Sequence, residues 1–448
     1  MNASYFDSEV ETLSAERLKA LQLERLQAVV ERAYHTNAFY RRLYDEANVK
    51  PSDIRGLDDV QKLPFLEKKT VRSAYPTGLV TAPTGELREM HSTSGTTGTP
   101  VLVFATARDL DVWAELNARE LWMVGLRPGD SLLNAYGYGL PTGGFGFHYG
   151  AQKMGVLAIP TSSGQPERQV RLLHDLNVTA FCMTPSFALY CGQKAQELGI
   201  DLAGQDSPRI GLFGAEPWPR STRDQIESLF GITAYDEFGM TEFLGPGMTC
   251  ECAVRDPIHG MHAWADAFLC ECVNPETGEW VADGEPGELV WTSLRFEGSS
   301  FIRYRSRDLS ALTWEPCACG RNHPRIAAIK GRTDDAVSIN GFIVFPSQVE
   351  EALLRFPECG ANFRMYVETD KRGLDRFTLR VEAKSTATLA NDEIVRSLTD
   401  RMRETIRGIT GVNPRQIELV APETLPRITS GEGKTASARV EDRRKRVA

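Results

Sequence analysis

Residues 91–100, His91-Ser92-Thr93-Ser94-Gly95-Thr96-Thr97-Gly98-Thr99-Pro100, concentrate hydroxyls and glycines that suit neither a helix nor a strand. Glycine lets backbone approach a ligand closely, and hydroxyls and exposed N–H groups donate hydrogen bonds without fixed charge. Together they can wrap phosphate oxygens, as nests of backbone N–H groups do. No Gly-Lys-Ser/Thr follows, so this is not a Walker A loop. A plain Ser/Thr/Gly linker is the alternative. It sits poorly between Leu87-Arg88-Glu89-Met90 and the apolar run Val101-Leu102-Val103-Phe104, which read as two arms of a hairpin. A second group is built from thiols and imidazoles: Cys250-Glu251-Cys252, His259, His262, Cys270-Glu271-Cys272 and Cys317-Ala318-Cys319. Such ligands in a fourfold set suit structural zinc. The alternative is reduced cysteines buried as small hydrophobes.

The elements around these groups follow from periodicity. Residues 8–48 repeat apolar positions at helical spacing, and 109–124 do so again. Residues 155–215 alternate short apolar strands with helices, a rhythm that implies a mainly parallel sheet covered by helices. Ligands bind such sheets at the carboxyl ends of the strands. Gly214-Ala215-Glu216-Pro217 and Ala234-Tyr235-Asp236-Glu237-Phe238-Gly239-Met240-Thr241-Glu242 fall at two such ends. The stretch 136–148 mixes Tyr136, Tyr138, Phe145 and Phe147 with glycines; rings give flat apolar walls and glycines give room. It reads either as a pocket wall or as a Gly-rich turn with core aromatics. His148 and His174 have no spaced partners and read as ordinary histidines. From Asp334 the pattern changes to a smaller α+β unit, with helices over 347–354 and 391–409 and strands over 363–367, 377–383 and 416–420. Lys434 then lies on a Gly-flanked loop.

A chain of 448 residues exceeds one usual core, so two domains are expected. A net charge of −9 argues against a nucleic-acid binder. The longest apolar runs fall well short of the ~20 residues that span a membrane. Met1 to Asp7 show neither a basic nor an apolar leader pattern, so a cytoplasmic protein is expected. In that compartment the nine cysteines read as free thiols or metal ligands.

The loop at 91–100, the strand ends at 214–217 and 235–242, the runs Tyr304-Arg305-Ser306-Arg307-Asp308 and Gly331-Arg332-Thr333-Asp334-Asp335, and Lys434 stand in one order. That ordered set resembles the adenylate-forming enzymes, and within them the phenylacetate–CoA ligase branch. The resemblance implies an α/β chain: a large N-terminal adenylation domain (1–333) with mainly parallel sheets and a zinc-stapled β-rich part at about 250–320. A small mobile α+β domain (334–448) carries the catalytic lysine. It implies that Ser92, Thr93, Ser94, Gly95, Thr96, Thr97 and Gly98 hold ATP phosphates. Gly214, Ala215, Glu216, Pro217, Asp236, Glu237, Phe238, Gly239, Met240, Asp308 and Arg332 would then surround the nucleotide. Thr241 would contact the α-phosphate, Glu242 would hold Mg²⁺, Lys434 would bridge acid and phosphate, and Asp334 would be the hinge. Tyr136, Tyr138, Phe145, Phe147, Gly214 and Met240 are carried over as the acid pocket. Cys252, His262, Cys317 and Cys319 match a zinc set, with His259 a rival to His262.

The activity so implied is ATP-dependent activation of an aromatic acid, phenylacetate or an amino- or hydroxybenzoate, to an aryl-AMP, followed by transfer to coenzyme A. Relatives suggest a homodimer. The near alternative hands the acyl group to a carrier-protein thiol, an amine or a phenol; the distant one is a non-catalytic nucleotide-binding protein.

Overall fold

The structure is a computed structural model and describes residues 4–93, 99–204, 208–254, 260–333, 337–339, 342–370, 374–426 and 439–444. Ser94 to Gly98, His259, Asp334 and Lys434 lie outside the described residues.

The predicted hairpin is present. Strand β1 (Leu87–Ser92) pairs antiparallel with β2 (Leu102–Thr106), closing at Ser92 opposite Leu102. The hydroxyl- and glycine-rich loop is thus held by both its ends, and Thr93 adds a bond from its N–H to the Val101 carbonyl at 3.0 Å.

Strands β3 (Ser131–Asn134), β4 (Leu157–Pro160), β5 (Ala180–Met183), β6 (Ile210–Phe213) and β7 (Thr233–Met240) form the parallel half of the large sheet, in the order β4-β3-β5-β6-β7. The inner strands β5 and β6 are buried along their whole length, as expected of strands covered on both faces. The sheet changes character within β7. Thr233 to Asp236 pair parallel with β6, whereas Glu237 to Met240 pair antiparallel with β8 (Gly245–Cys250). Beyond β8 the sheet continues through β9 (Met261–Ala263), β13 (Arg325–Ile326), β12 (Tyr304–Thr313), β11 (Pro286–Ser293) and β10 (Phe268–Val273); β14 (Gly331–Arg332) pairs with β12.

One element differs from expectation. Of the glycine- and aromatic-rich stretch 136–148, residues 136–142 are irregular and the rest opens a helix, Gly143–Lys153, against the helix Ala107–Met123, with Tyr136 and Phe147 in the core. Its glycines are contact notches. A Cβ on Gly150 would meet Asn117 Cβ at 2.5 Å, and one on Gly146 would meet Trp113 Nε1 at 2.7 Å.

The smaller unit begins with the hairpin β15 (Val337–Ile339) and β16 (Phe342–Val344), then a helix Pro346–Leu353. Strands β17 (Cys359–Thr369), β18 (Asp375–Ala383), β19 (Gln416–Val420) and β20 (Val440–Asp442) make a sheet in the order β19-β18-β17-β20, covered by the helix Asp392–Thr410. β20 was not expected. It lies parallel to β17 and anchors the chain on the far side of Lys434. No helix among the described residues is long and apolar enough to cross a membrane.

A buried charge cluster ties the first helices to the sheet. Asp266 accepts from Arg119 at 2.8 Å and from Arg295 at 3.3 Å, and Arg25 adds a bond to its backbone carbonyl. Burial opposes the Asp266 charge, but the Arg119 guanidinium outweighs it and holds the carboxyl well below the usual range. Removing one partner of such a cluster strands the others. Asp266→Asn is expected to cost about 3–5 kcal/mol, read as a lower denaturation midpoint; a shift under about 1 kcal/mol, the scale of an exposed pair, would contradict this.

Candidate active site

Beyond the carboxyl ends of β6 and β7 lies a cavity of about 280 Å³. Thr93, Ala215 to Trp218, Asp236 to Glu242, Asp308 and Arg332 line it, and Phe345, Glu350 and Arg439 of the smaller unit close one side. Three stretches far apart in sequence therefore meet at the place where an open α/β sheet binds its ligand.

The cavity is unusually rich in carboxyl groups, and most have a fixed donor. Glu216 accepts from the Ser186 N–H at 2.6 Å. Asp236 accepts from Trp218 Nε1 at 2.8 Å, and its own N–H donates to Glu251 at 2.9 Å. Glu251 is in turn gripped by both ends of the Arg223 guanidinium, at 2.8 and 2.9 Å. Glu242 accepts from the Tyr304 hydroxyl at 2.8 Å. Asp308 pairs with Arg332 across β12 and β14 at 3.1 Å, and Glu350 pairs with Arg439 at 2.7 Å. Glu237 has only the shared Tyr136 hydroxyl beside it, and its Oε2, like Glu216 Oε2, is buried with no hydrogen-bond partner among the described residues.

Burial sets the protonation of these groups. It raises Asp236 to about 7, with Glu251 pushing the same way and the Trp218 bond opposing. It raises Glu237 to about 8, with Asp236 adding to the effect, and Glu350 to about 7 despite Arg439. A site holding this much latent negative charge accepts a polyphosphate only with cations between them.

The residues expected in the acid pocket divide. Met240 lines the cavity. Tyr136 and Phe147 are buried behind it, stacked at 5.8 Å. The Tyr136 hydroxyl accepts the Gly214 N–H at 2.9 Å and donates to the Met183 carbonyl at 3.0 Å, so it fixes the turn after β6. Tyr138 and Phe145 join a half-buried aromatic cluster with His91, His148 and Tyr149. His148 is not isolated, since its Nδ1 meets the Tyr138 hydroxyl at 3.2 Å. Sequence reasoning missed Trp218, Tyr304, Glu350 and Arg439. Tyr304 stood in a stretch already marked, but nothing local told which carboxyl it would meet.

A second site lies in the antiparallel half. Cys252, His262, Cys317 and Cys319 bring one ligand atom each to within 4.8 Å of one another. His262 Nδ1 faces the His323 carbonyl at 3.2 Å, which leaves Nε2 toward the sulfurs, 3.3 Å from Cys319. That outer bond fixes the ring tautomer as metal-binding histidines require. The crowded sulfurs share protons unevenly: their mutual bond pushes the Cys252 thiol up and pulls the Cys319 thiol down. Cys250, Cys270 and Cys272 are outside this set. The N-terminal segment is fastened to the same knuckle. The Tyr5 hydroxyl donates to the Cys319 carbonyl at 3.0 Å, and Arg321 donates to buried Glu11 at 2.7 Å.

A cavity of this make at the ends of two parallel strands, with an Asp-Arg pair and a Thr-Glu step beside it, marks an enzyme that handles a nucleotide. The chain belongs to the AMP-binding enzyme family, whose profile matches residues 21–294, with that of the AMP-binding enzyme C-terminal domain matching 341–444. Phenylacetate-coenzyme A ligases of Thermus thermophilus and Aromatoleum evansii are each 39% identical to it, over 95% and 97% of this chain and 98% and 96% of their own. Among solved structures, 2-hydroxyisobutyryl-CoA ligase in its postadenylation state with 2-HIB-AMP superposes with a TM-score of 0.89 at 28% identity, covering 98% of this chain and 93% of that one. The same ligase in its thioesterification state superposes at 0.72.

Replacing Cys317 and Cys319 by Ser is expected to lower the thermal midpoint by several degrees and to strip bound metal. Elemental analysis finding no metal in the unaltered protein would contradict the fourfold site.

Proposed function

We propose that the chain is an acid–coenzyme A ligase that activates an aromatic carboxylic acid, phenylacetate or an amino- or hydroxybenzoate, with ATP. The observation that carries this is the meeting of the 215–218, 236–242 and 308–332 stretches around one cavity, in a chain that aligns with acid–CoA ligases almost end to end.

A carboxylate is a poor electrophile because its oxygen is a poor leaving group. Its attack on the α-phosphorus of ATP expels pyrophosphate and leaves an acyl-adenylate, from which AMP departs readily when a thiol attacks the carbonyl. Catalysis of the first step is positioning and charge neutralisation. In this reading Ser92 to Gly98 hold the outer phosphates, Asp308 accepts from the ribose hydroxyls, and Phe238 offers its face to adenine. Thr241 contacts the α-phosphate and Lys434 bridges it to the acid carboxylate. Glu242, oriented by Tyr304, would hold Mg²⁺, which supplies charge neutralisation for the phosphates. Cys252, His262, Cys317 and Cys319 would hold zinc as a structural staple, with His259 the rival to His262.

The smaller unit turns about Asp334 between the half-reactions, an ordinary gating motion. The better match to the postadenylation form of 2-hydroxyisobutyryl-CoA ligase than to its thioesterification form supports this arrangement as the one described.

The test is product analysis with ATP, Mg²⁺, coenzyme A and a panel of aryl acids. AMP, pyrophosphate and an acyl-CoA thioester are expected in equal amounts, and Lys434→Ala is expected to lower the rate at least about 100-fold while ATP still binds. Acyl-AMP that accumulates to one equivalent and is not relieved by coenzyme A would point instead to a carrier-protein thiol, an amine or a phenol as acceptor. Unchanged turnover by the lysine variant would remove Lys434 from the mechanism.

A further inference from the structure

Glu237, counted by resemblance among the residues around the nucleotide, has no role in the steps above, and it is the cavity carboxyl with the least support. It is 6% exposed, lines the cavity, and its Oε2 meets no partner among the described residues. Successive residues of a strand point to opposite faces, so Asp236 and Glu237 meet different neighbours although both line the cavity. Asp236 turns to Trp218. Glu237 lies over the turn after β6, where a Cβ added to Gly214 would sit 2.2 Å from its Oε1. The Tyr136 hydroxyl is beside it. That hydroxyl has one proton, for which the Met183 carbonyl at 3.0 Å competes, and its oxygen takes the Gly214 N–H, so it supports at most one of the two Glu237 oxygens and leaves Oε2 without a partner among the described residues. The groups that act on Glu237 electrostatically are Asp236, Glu120, Tyr136, Cys182 and Cys250, all acids. The described protein therefore brings it no cation.

We propose that Glu237 receives a ring amino or hydroxyl group of the acid, so that the substrate is an aromatic acid bearing a hydrogen-bond donor and not the unsubstituted arylacetate. This rests on the acid-activation reading above, and narrows its substrate class. Glu237 marks the acid end of the cavity because it sits on the Tyr136–Phe147 side, while Asp236, Asp308 and Arg332 mark the nucleoside end. An unsubstituted ring would close over a buried carboxyl and leave it without a partner, whereas a ring donor satisfies it. Burial raises the Glu237 carboxyl to about 8. A ligand donor favours the carboxylate, and the displaced proton leaves to solvent.

The experiment measures pyrophosphate release by the full chain with ATP, Mg²⁺ and coenzyme A on matched pairs: benzoate and phenylacetate against their amino and hydroxy derivatives. The donor-bearing member of at least one pair is expected to have kcat/KM at least about 100-fold higher. Glu237→Leu is expected to shrink that ratio below about 10-fold, partly by raising turnover of the unsubstituted acid, which mere structural damage would not do. Glu237→Gln keeps an acceptor and is expected to fall between, and it carries the test should the Leu variant not fold. Equal use of both members of every pair by the unaltered protein, or variants that slow both members in proportion, would overturn the role of Glu237 and leave acid activation standing. Release on none of the acids would overturn acid activation on aryl substrates and this inference with it.

Discussion

The structure turns on a change of partner within a single strand. β7 pairs parallel with β6 for its first four residues and antiparallel with β8 for the next ones. A parallel neighbour requires a crossover, so β6 ends and its chain leaves through Gly214 to Pro217, whereas β7 runs on past it. The result is a crevice whose floor is the end of β6 and whose wall is the exposed continuation of β7. The cavity residues from Ala215 to Trp218 and from Asp236 to Glu242 hang on that geometry. The antiparallel half supplies Asp308 and Arg332 through β12 and β14, and its own shape is braced by the thiol–imidazole knuckle.

The second constraint is electrostatic. The crevice holds six carboxyl groups, Glu216, Asp236, Glu237, Glu242, Asp308 and Glu350, and is meant for a polyanion. The protein meets the problem by burying donors behind the carboxyls: Trp218 for Asp236, Tyr304 for Glu242, Arg332 for Asp308 and Arg439 for Glu350. These bonds hold each group in place before any ligand arrives, which is the condition for electrostatic catalysis to cost little reorganisation. Glu237 has only the Tyr136 hydroxyl, shared with the Met183 carbonyl, and keeps a buried oxygen for a donor from outside.

Much of this was legible in the sequence because the signals were local. The short apolar runs at Ala180–Met183 and Ile210–Phe213 gave buried parallel strands, since a strand covered on both faces needs no polar alternation. The thiol and imidazole group was legible because metal-type ligands come in recognisable residue types and pairs, and the set of Cys252, His262, Cys317 and Cys319 came from the resemblance; the structure brings their ligand atoms within 4.8 Å of one another. The pairings were not. Trp218 with Asp236, and Arg439 with Glu350 eighty-nine residues earlier, depend on tertiary placement that no local pattern records. The same holds for the stretch around Gly143–Lys153. Its glycines looked like turn or pocket residues, but Gly146 is there because Trp113 presses against it. The loop at 94–98, the hinge at Asp334 and Lys434 rest on the sequence alone.

The central claim is that acid and ATP react in this crevice before any thiol is involved. Exchange of labelled pyrophosphate into ATP, measured without coenzyme A, tests it most directly. Exchange that requires the aryl acid and proceeds without coenzyme A is the predicted result. Exchange that ignores the acid, or that appears only once coenzyme A is added, would contradict the account.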